Sequence, residues 1–354
     1  MTSSQEDGAA AAAEQLGSMS FGESAERKDN DAEATTKNGT PSKLLCSACG
    51  EKSNTLMKCR ACKCVWYCDK KCQNKHWTVH KKECKWIKKV LEKRGGKLDL
   101  GTEMDVGSLG KLPPREECPI CMRVLPIRES LHKYATCCGK TVCGGCDFQH
   151  DMKSRVQALP RTCAFCRTAV PDSDEEILAR LSKRVELKDP DALVNLAMAH
   201  GRGELGLPMN QAKCIELLRQ SAGLGYPPAQ FQLANFHCHG HMGLEQNEEE
   251  ELKYIKEAAE GGDLPALHNL ACKEYENDDR VAAMRHARLS ASGGLKESIH
   301  DLIGCFEKGL LHHADLAETL RAFYLARAEM KSEHRDQYIK YLKNTGKYKE
   351  EYHC

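Results

Sequence analysis

From about Asp174 onward, apolar residues recur every three or four positions, the period of amphipathic helices. The pattern also repeats at longer range. Ala192-Leu193-Val194-Asn195-Leu196-Ala197 returns 37 residues later as Ala229-Gln230-Phe231-Gln232-Leu233-Ala234, and after another 37 as Ala266-Leu267-His268-Asn269-Leu270-Ala271. A weaker fourth copy starts at Ser298, 32 residues on, with Leu302 in the leucine position. The second half of the unit keeps the same offsets: Ser221-Ala222-Gly223-Leu224-Gly225, Ala258-Ala259-Glu260-Gly261-Gly262 and Ser290-Ala291-Ser292-Gly293-Gly294. Each unit therefore reads as a helical hairpin. Small Ala and Gly allow close helix approach, and Gly225, Gly262 and Gly294 fall where each second helix should end in a left-handed residue. One hairpin cannot bury its own apolar face, so the units must stack. The run Glu248–Glu251 suits a helix start. Leu316–Leu342 departs from the repeat and reads as a C-terminal cap, giving a helical region over 174–345.

Ahead of Asp174 the helical period is lost. Residues 1–42 are rich in Ala, Ser, Glu, Asp, Thr and Gly, with Phe21 the sole aromatic, and are expected to be a disordered tail. Gly95-Gly96, Gly107, Gly110 and Pro113-Pro114 mark a linker over 95–117. In the two segments between, 43–94 and 118–171, cysteine takes over: 16 of the chain's 21 lie there. No stretch reaches the roughly 18 apolar residues a bilayer span needs. The Ala9–Ala13 run is short and followed by Glu14, unlike a secretory signal. The expected setting is cytoplasmic or nuclear, not secreted, where paired cysteines favour metal over disulfides.

The first cluster runs Cys46-x2-Cys49, Cys59-x2-Cys62, Cys68-x3-Cys72 and His80-x3-Cys84. Eight donors make two tetrahedral zinc sites. A segment this short has little core, so metal binding would supply its folding free energy. Cys64 competes with Cys62, although only Cys62 keeps the two-residue knuckle; otherwise Cys64 is a small buried residue. His76 competes with His80, the residue at the helical step before Cys84. With Tyr67 before Cys68, Trp77 and the His80-Lys81 step, residues 43–94 resemble a MYND zinc finger. The resemblance implies interleaved ligands, with Cys46, Cys49, Cys68 and Cys72 in one site and Cys59, Cys62, His80 and Cys84 in the other. It also implies recognition of peptides, typically proline-rich ones. In some relatives this finger interrupts a SET methyltransferase, but no such cofactor or catalytic signature is present here. The segment carries 15 Lys and Arg against four Asp and Glu. Such a charge either attracts polyanions or simply keeps a metal knot soluble.

The second cluster runs Cys118-Pro119-Ile120-Cys121, Cys137-Cys138, Cys143-x2-Cys146 and Cys163-x2-Cys166. It resembles a RING finger of the all-cysteine kind. The resemblance implies one site of Cys118, Cys121, Cys143 and Cys146 and another of Cys137, Cys138, Cys163 and Cys166. Lys140 stands where common RINGs carry a ligating His, so the second site needs both adjacent cysteines, with His132 or His150 as substitutes. Ile120 matches the apolar contact to a ubiquitin-conjugating enzyme, and Arg167 the basic residue that clamps ubiquitin to its carrier; Ala164 replaces a common proline. Such a finger acts by positioning, with no covalent chemistry of its own.

The repeats over about 190–345 resemble the Sel-1 type, relatives of the tetratricopeptide repeats. The expected architecture is multidomain: two small α+β cross-brace zinc fingers, MYND and RING-like, followed by an all-α solenoid. Four bound Zn2+ ions with fifteen thiolates would move the formal net charge from +1 to about −6. No phosphate loop, dinucleotide fingerprint or nucleophile–base constellation appears. His237, Cys238, His239 and His241 read either as a metal cluster or as a polar inter-helix loop. The expected function is protein interaction, as a ubiquitin ligase or adaptor that recruits clients through the first finger and the repeats. A non-catalytic scaffold is the alternative, and a nucleic-acid adaptor acting through the basic finger is a weaker one.

Overall fold

A computed structural model describes residues 45–348 except 52 and 54; the tail expected at 1–42 lies outside the described residues. Its helical part follows the repeat closely. α3 (Asp174–Glu186) leads into three hairpins: α4 (Pro190–Arg202) with α5 (Gln211–Gly223), α6 (Pro227–His239) with α7 (Glu248–Glu260), and α8 (Leu264–Glu276) with α9 (Arg280–Ser292). α10 (Lys296–Glu307), α11 (His313–Glu329) and α12 (Glu333–Asn344) complete the chain. Local chemistry sets these boundaries. Asp189, Asn210, Asn247, Asp263 and Asp279 each accept a backbone N–H of the first turn, and prolines occupy the first turns of α4, α6 and α8. The shortened offset of 32 also has a local cause. The turns after α4 and α6 span 203–210 and 240–247, whereas the turn after α8 spans only 277–279. Ser221 Oγ donates to the Pro190 carbonyl at 3.0 Å and Ser290 Oγ to that of Leu264 at 2.8 Å. In those two hairpins a small polar residue thus ties the second helix to the start of the first.

Both cysteine segments are small α+β units. In the first, β1 (Met57–Lys58) pairs antiparallel with β2 (Trp66–Tyr67), Met57 opposite Tyr67, and α1 (Lys70–Lys93) follows. In the second, β3 (His132–Ala135) pairs antiparallel with β4 (Lys140–Cys143), His132 opposite Cys143, ahead of α2 (Gly144–Val156).

The described residues fold as one compact unit, and the reason lies in three buried clusters. The largest merges Val65, Tyr67, Ile87 and Val90 of the first finger with Ile299, Leu302 and Phe306 of α10 and Leu316, Leu320 and Phe323 of α11. A second runs through α4 to α8. The third, inside the second finger, holds only Leu125 and Val142 besides cysteines.

The segment over 95–117 has the composition of a free linker but lies as a strap on the solenoid. Val106 is 1% exposed. Met104 N donates to the Leu310 carbonyl, Thr102 Oγ1 to that of Gly309, and Arg285 and Arg288 of α9 donate to those of Val106 and Gly107. The strap crowds two glycines: a Cβ on Gly262, itself left-handed at φ 85°, would fall 2.9 Å from Pro113, and one on Gly293 would collide with Leu264 and fall 2.9 Å from Leu112. Backbone hydrogen-bonding need, invisible in composition, decides this placement. The C-terminal helices likewise do more than end a stack. α11 packs on α9 and on the first finger, and α12 packs on α2 of the second. No described helix is long and apolar enough to cross a membrane.

Candidate metal centres

Four of the cysteine pairs sit in tight knuckles whose backbone aims both sulfurs one way. Gly50 N donates to the Cys46 carbonyl, Lys63 N to that of Cys59, Met122 N to that of Cys118 and Arg167 N to that of Cys163. In all four knuckles the residue after the second cysteine is left-handed: Gly50 at φ 77°, Lys63 at 59°, Met122 at 52° and Arg167 at 64°. Three of these are not glycine, a conformation kept only where the surroundings over-determine it. Of the remaining donors, α1 supplies Cys72, His80 and Cys84 and α2 supplies Cys146, while Cys68 follows β2, Cys137 and Cys138 lie in the β3–β4 turn and Cys143 ends β4. Asp69 caps α1 by accepting from Cys72 N at 2.8 Å, and His80 and Cys84 follow on one face of that helix.

The result is four clusters whose ligand atoms all lie within 4.8 Å of one another: Cys46, Cys49, Cys68 and Cys72; Cys59, Cys62, His80 and Cys84; Cys118, Cys121, Cys143 and Cys146; and Cys137, Cys138, Cys163 and Cys166. In both fingers the two sets interleave along the chain. Donor type and number suit Zn2+, which takes four N or S ligands in a closed structural site. In the second cluster Cys62 Sγ lies 3.3 Å from His80 Nε2, and Cys59 Sγ lies 3.7 Å from Cys84 Sγ.

The electrostatics show what such a set lacks. The Cys62 thiol is held well down, chiefly by hydrogen bonding with Cys59, whereas hydrogen bonding with Cys59 pushes Cys84 far up. Cys118 falls to about 4 through its hydrogen bond with Cys143, which rises in exchange. One thiolate forms readily in each cluster and repels the next, so a divalent cation must offset the rest. The same thiolates outweigh burial and lift His80 to about 9, the signature of a site built for positive charge.

Residues 46–84 match the model of the MYND finger, and residues 190–226 and 227–263 match that of the Sel1 repeat. The chain carries a MYND finger and Sel1 repeats. Over 57 residues it is 45% identical to the histone-lysine N-methyltransferase ASHR1 of Arabidopsis thaliana, covering 16% of this chain and 12% of that protein. Over 45 residues it is 42% identical to the human histone-lysine N-methyltransferase SMYD3, covering 13% of this chain and 10% of that protein. The chain thus spans only about a tenth of these relatives' length. Among solved structures, a Sel1 repeat protein from Oxalobacter formigenes is 27% identical, with a TM-score of 0.34, over 35% of this chain and 96% of the other. The Escherichia coli antigen c5321, which displays an SLR fold, is 16% identical, with a TM-score of 0.30, over 59% and 56%.

Around the MYND finger the structure separates the competing donors. Cys64 is fully buried beside Cys62 but is not among the four donors grouped there. Its Sγ donates to the Cys62 carbonyl and faces His313 Nε2 at 3.3 Å. His76 bonds the Tyr67 hydroxyl through Nδ1 at 3.0 Å and stacks on His80. In the second finger His150 faces Thr162 and Arg167, outside the Cys137 cluster. His132 stands on β3 opposite Cys143, away from that cluster as well. In the repeats, His237 is buried against Tyr254 while His239 bonds the Asn235 carbonyl, so these histidines face different surroundings. His268, Cys272 and Asp301 also approach one another, but Cys272 meets Nε2 and Asp301 meets Nδ1, so the two converge on opposite ring nitrogens.

Sequence reasoning missed the partners that the solenoid brings to the ligands. Tyr324 reaches His80, and Arg335 reaches Cys121. Both lie more than 200 residues from the ligand they touch, and a buried tyrosine in a helical stripe reads as ordinary core.

Proposed function

We propose that this protein is a zinc-dependent interaction adaptor whose second finger recruits a ubiquitin-conjugating enzyme. One observation carries the reading: the two interleaved cysteine clusters leave apolar knuckle residues facing solvent. Ile120 is 40% exposed and Phe165 is 41% exposed, while Ala164 beside it is buried. Burial of Ala164 accounts for the small residue at a position where proline is common. Arg167 is exposed beside the last ligand and donates to His150 Nδ1 at 2.6 Å. Exposed apolar residues framed by polar ones mark an interaction surface. The finger would act by holding a charged carrier in a reactive geometry. Zinc would be held by the four clusters, giving each knuckle its fixed shape. A reducing compartment, cytoplasm or nucleus, belongs to this reading because fifteen thiolates must stay reduced.

Clients would bind the Sel1 repeats, where a groove of 760 Å³ is lined by Gln211, Ile215, Arg219, Met242 and Leu244. Similarity to the methyltransferases covers only short stretches of 57 and 45 residues, so their activity forms no part of the proposal. The test is autoubiquitination of zinc-loaded protein with a panel of conjugating enzymes. Activity lost in Ile120→Ala and reduced in Arg167→Ala supports the reading. Inactivity across the panel, with four zinc ions bound, makes the protein a scaffold.

A second reading has its own observation. Lys71, Lys75, Lys82, Lys85, Lys89 and Lys93 of α1 are all exposed. At 100° per residue they lie within about 40° of one line roughly 33 Å long. Such a stripe suits a nucleic-acid backbone. Binding of duplex DNA or RNA that weakens steeply with salt would favour it.

A further inference from the structure

The hydrogen bonds around the MYND finger's buried cluster run in one direction and end on the solenoid. His80 turns Nε2 toward the sulfurs, 3.3 Å from Cys62 Sγ; with zinc on Nε2 the ring keeps its one proton on Nδ1. That Nδ1–H donates to the Tyr324 hydroxyl of α11 at 3.0 Å. The hydroxyl donates onward to Glu83 Oε2 at 3.3 Å, and Glu83 Oε1 pairs with His300 of α10 at 3.6 Å. His80, Tyr324 and Glu83 are 1%, 3% and 5% exposed, so the chain is shielded from water. An acceptor on the far nitrogen fixes ring orientation and raises ligand basicity, as outer-sphere partners of ligating histidines do. His313 and Arg321 of α11 add bonds to the carbonyls of Cys62 and Cys64, locking the knuckle itself.

The second finger receives a different group from the next helix. Arg335 of α12 is 4% exposed. Its Nη2 donates to Cys121 Sγ at 3.5 Å and to the Arg123 carbonyl, and its Nη1 donates to the carbonyls of Val124 and Met330. A four-thiolate zinc site carries a formal charge of −2, and a buried guanidinium offsets half of it. The space is tailored to this contact, because a Cβ on Gly145 would meet the Arg335 backbone at 2.7 Å.

We propose that Tyr324 and Arg335 are positioning residues for zinc, each bonding a ligand of one finger, so that metal loading and seating of α11 and α12 are one linked equilibrium. The linkage is reciprocal: whatever the seated helix adds to zinc affinity, zinc adds to helix seating. The inference deepens the zinc reading and is independent of ubiquitin chemistry.

The experiment uses the full-length, zinc-loaded protein. Native mass spectrometry of the wild type reads the zinc count and so tests the zinc reading itself. Competition with the chromophoric chelator 4-(2-pyridylazo)resorcinol then reads affinity, and thiol alkylation mapped by mass spectrometry reports which cluster opens. Tyr324→Phe should weaken one zinc by about 10- to 100-fold, the usual cost of losing an outer-sphere partner. Alkylation should then rise at Cys59, Cys62 and Cys84 alone. Arg335→Met should instead open Cys118, Cys121, Cys143 and Cys146. Tyr275→Phe, whose hydroxyl bonds only Lys308 among the described contacts, is the control and should change neither. Helix content by circular dichroism should stay at the wild-type level in all three. Unchanged zinc affinity in Tyr324→Phe, or a uniform opening of all four clusters in either variant, overturns the proposal.

Discussion

The two fingers share a plan and differ in how the rest of the chain holds them. Both interleave two four-donor clusters, and both set their knuckles with left-handed residues. The MYND finger gives Val65, Tyr67, Ile87 and Val90 to a core that continues through α10 and α11. All four ligands of its Cys59–Cys62–His80–Cys84 cluster are buried. The second finger has little apolar interior. It is clamped instead by polar and aromatic contacts at both ends of the solenoid. Arg184 of α3 donates to the Cys137 carbonyl, Tyr134 donates to Asp189, and Phe148 packs on Tyr338 and Tyr341 of α12. Its exposed Cys166 and solvent-facing Ile120 and Phe165 leave one side open. The difference teaches that a zinc knot can serve as core or as surface, depending on where its apolar residues point.

The comparison breaks most visibly when ligands are removed. Structural zinc contributes about 10–16 kcal/mol in finger peptides, as much as a typical domain's whole stability of about 5–15 kcal/mol. Cys62→Ser should therefore lose one zinc and also deprotect amides of α10 and α11 in hydrogen exchange. Cys166→Ser should lose one zinc with exchange in those helices unchanged. Equal spreading from both substitutions would show that the fingers are held alike.

Core truncation is the next largest effect. Phe306 is fully buried, and Arg94 lies over its ring at 4.1 Å. Phe306→Ala should cost about 3–5 kcal/mol in urea unfolding and loosen the MYND finger with the solenoid. Leu125→Ala should fall near the low end of the usual range, about 2 kcal/mol, and leave the MYND finger intact.

Acid sharpens the comparison through one histidine in each finger, His76 buried and His132 half-buried. Burial, helped by His80, lowers His76 to about 4, and burial, with Arg335 and Arg115 nearby, lowers His132 to about 4. Each stays neutral when folded and takes a proton near pH 6.5 when unfolded. Stability is thus complete above pH 6.5 and is lost as pH falls toward 4, on the order of 2 kcal/mol per histidine. His132→Phe should flatten the dependence of the urea midpoint between pH 7 and 5 relative to wild type; an unchanged slope would refute this. Smallest of all, Lys93→Met removes an exposed pair with Glu307 at 2.7 Å and should change stability by less than about 0.5 kcal/mol.

Much of this was legible in the residues because the signals are local. The 37-residue period located the hairpins, and its contraction to 32 reflects one shortened turn at 277–279. Cysteine spacing marked the knuckles, since each closes within five residues, whereas the pairing of distant knuckles into shared sites came only from what the resemblances imply. The strap at 95–117 was not legible. Gly and Pro there signal an irregular backbone, but whether that backbone meets water or α9 depends on residues 180 positions away.

By itself the sequence determined the hairpin repeat, the knuckles and the donor chemistry, because each is fixed by contacts a few residues apart. Tertiary structure alone decided which finger is buried, where the strap runs, and that Tyr324 and Arg335 meet His80 and Cys121. Those outcomes rest on packing between segments far apart in the chain, where one buried hydrogen bond or ring contact selects the partner and no local pattern records the choice.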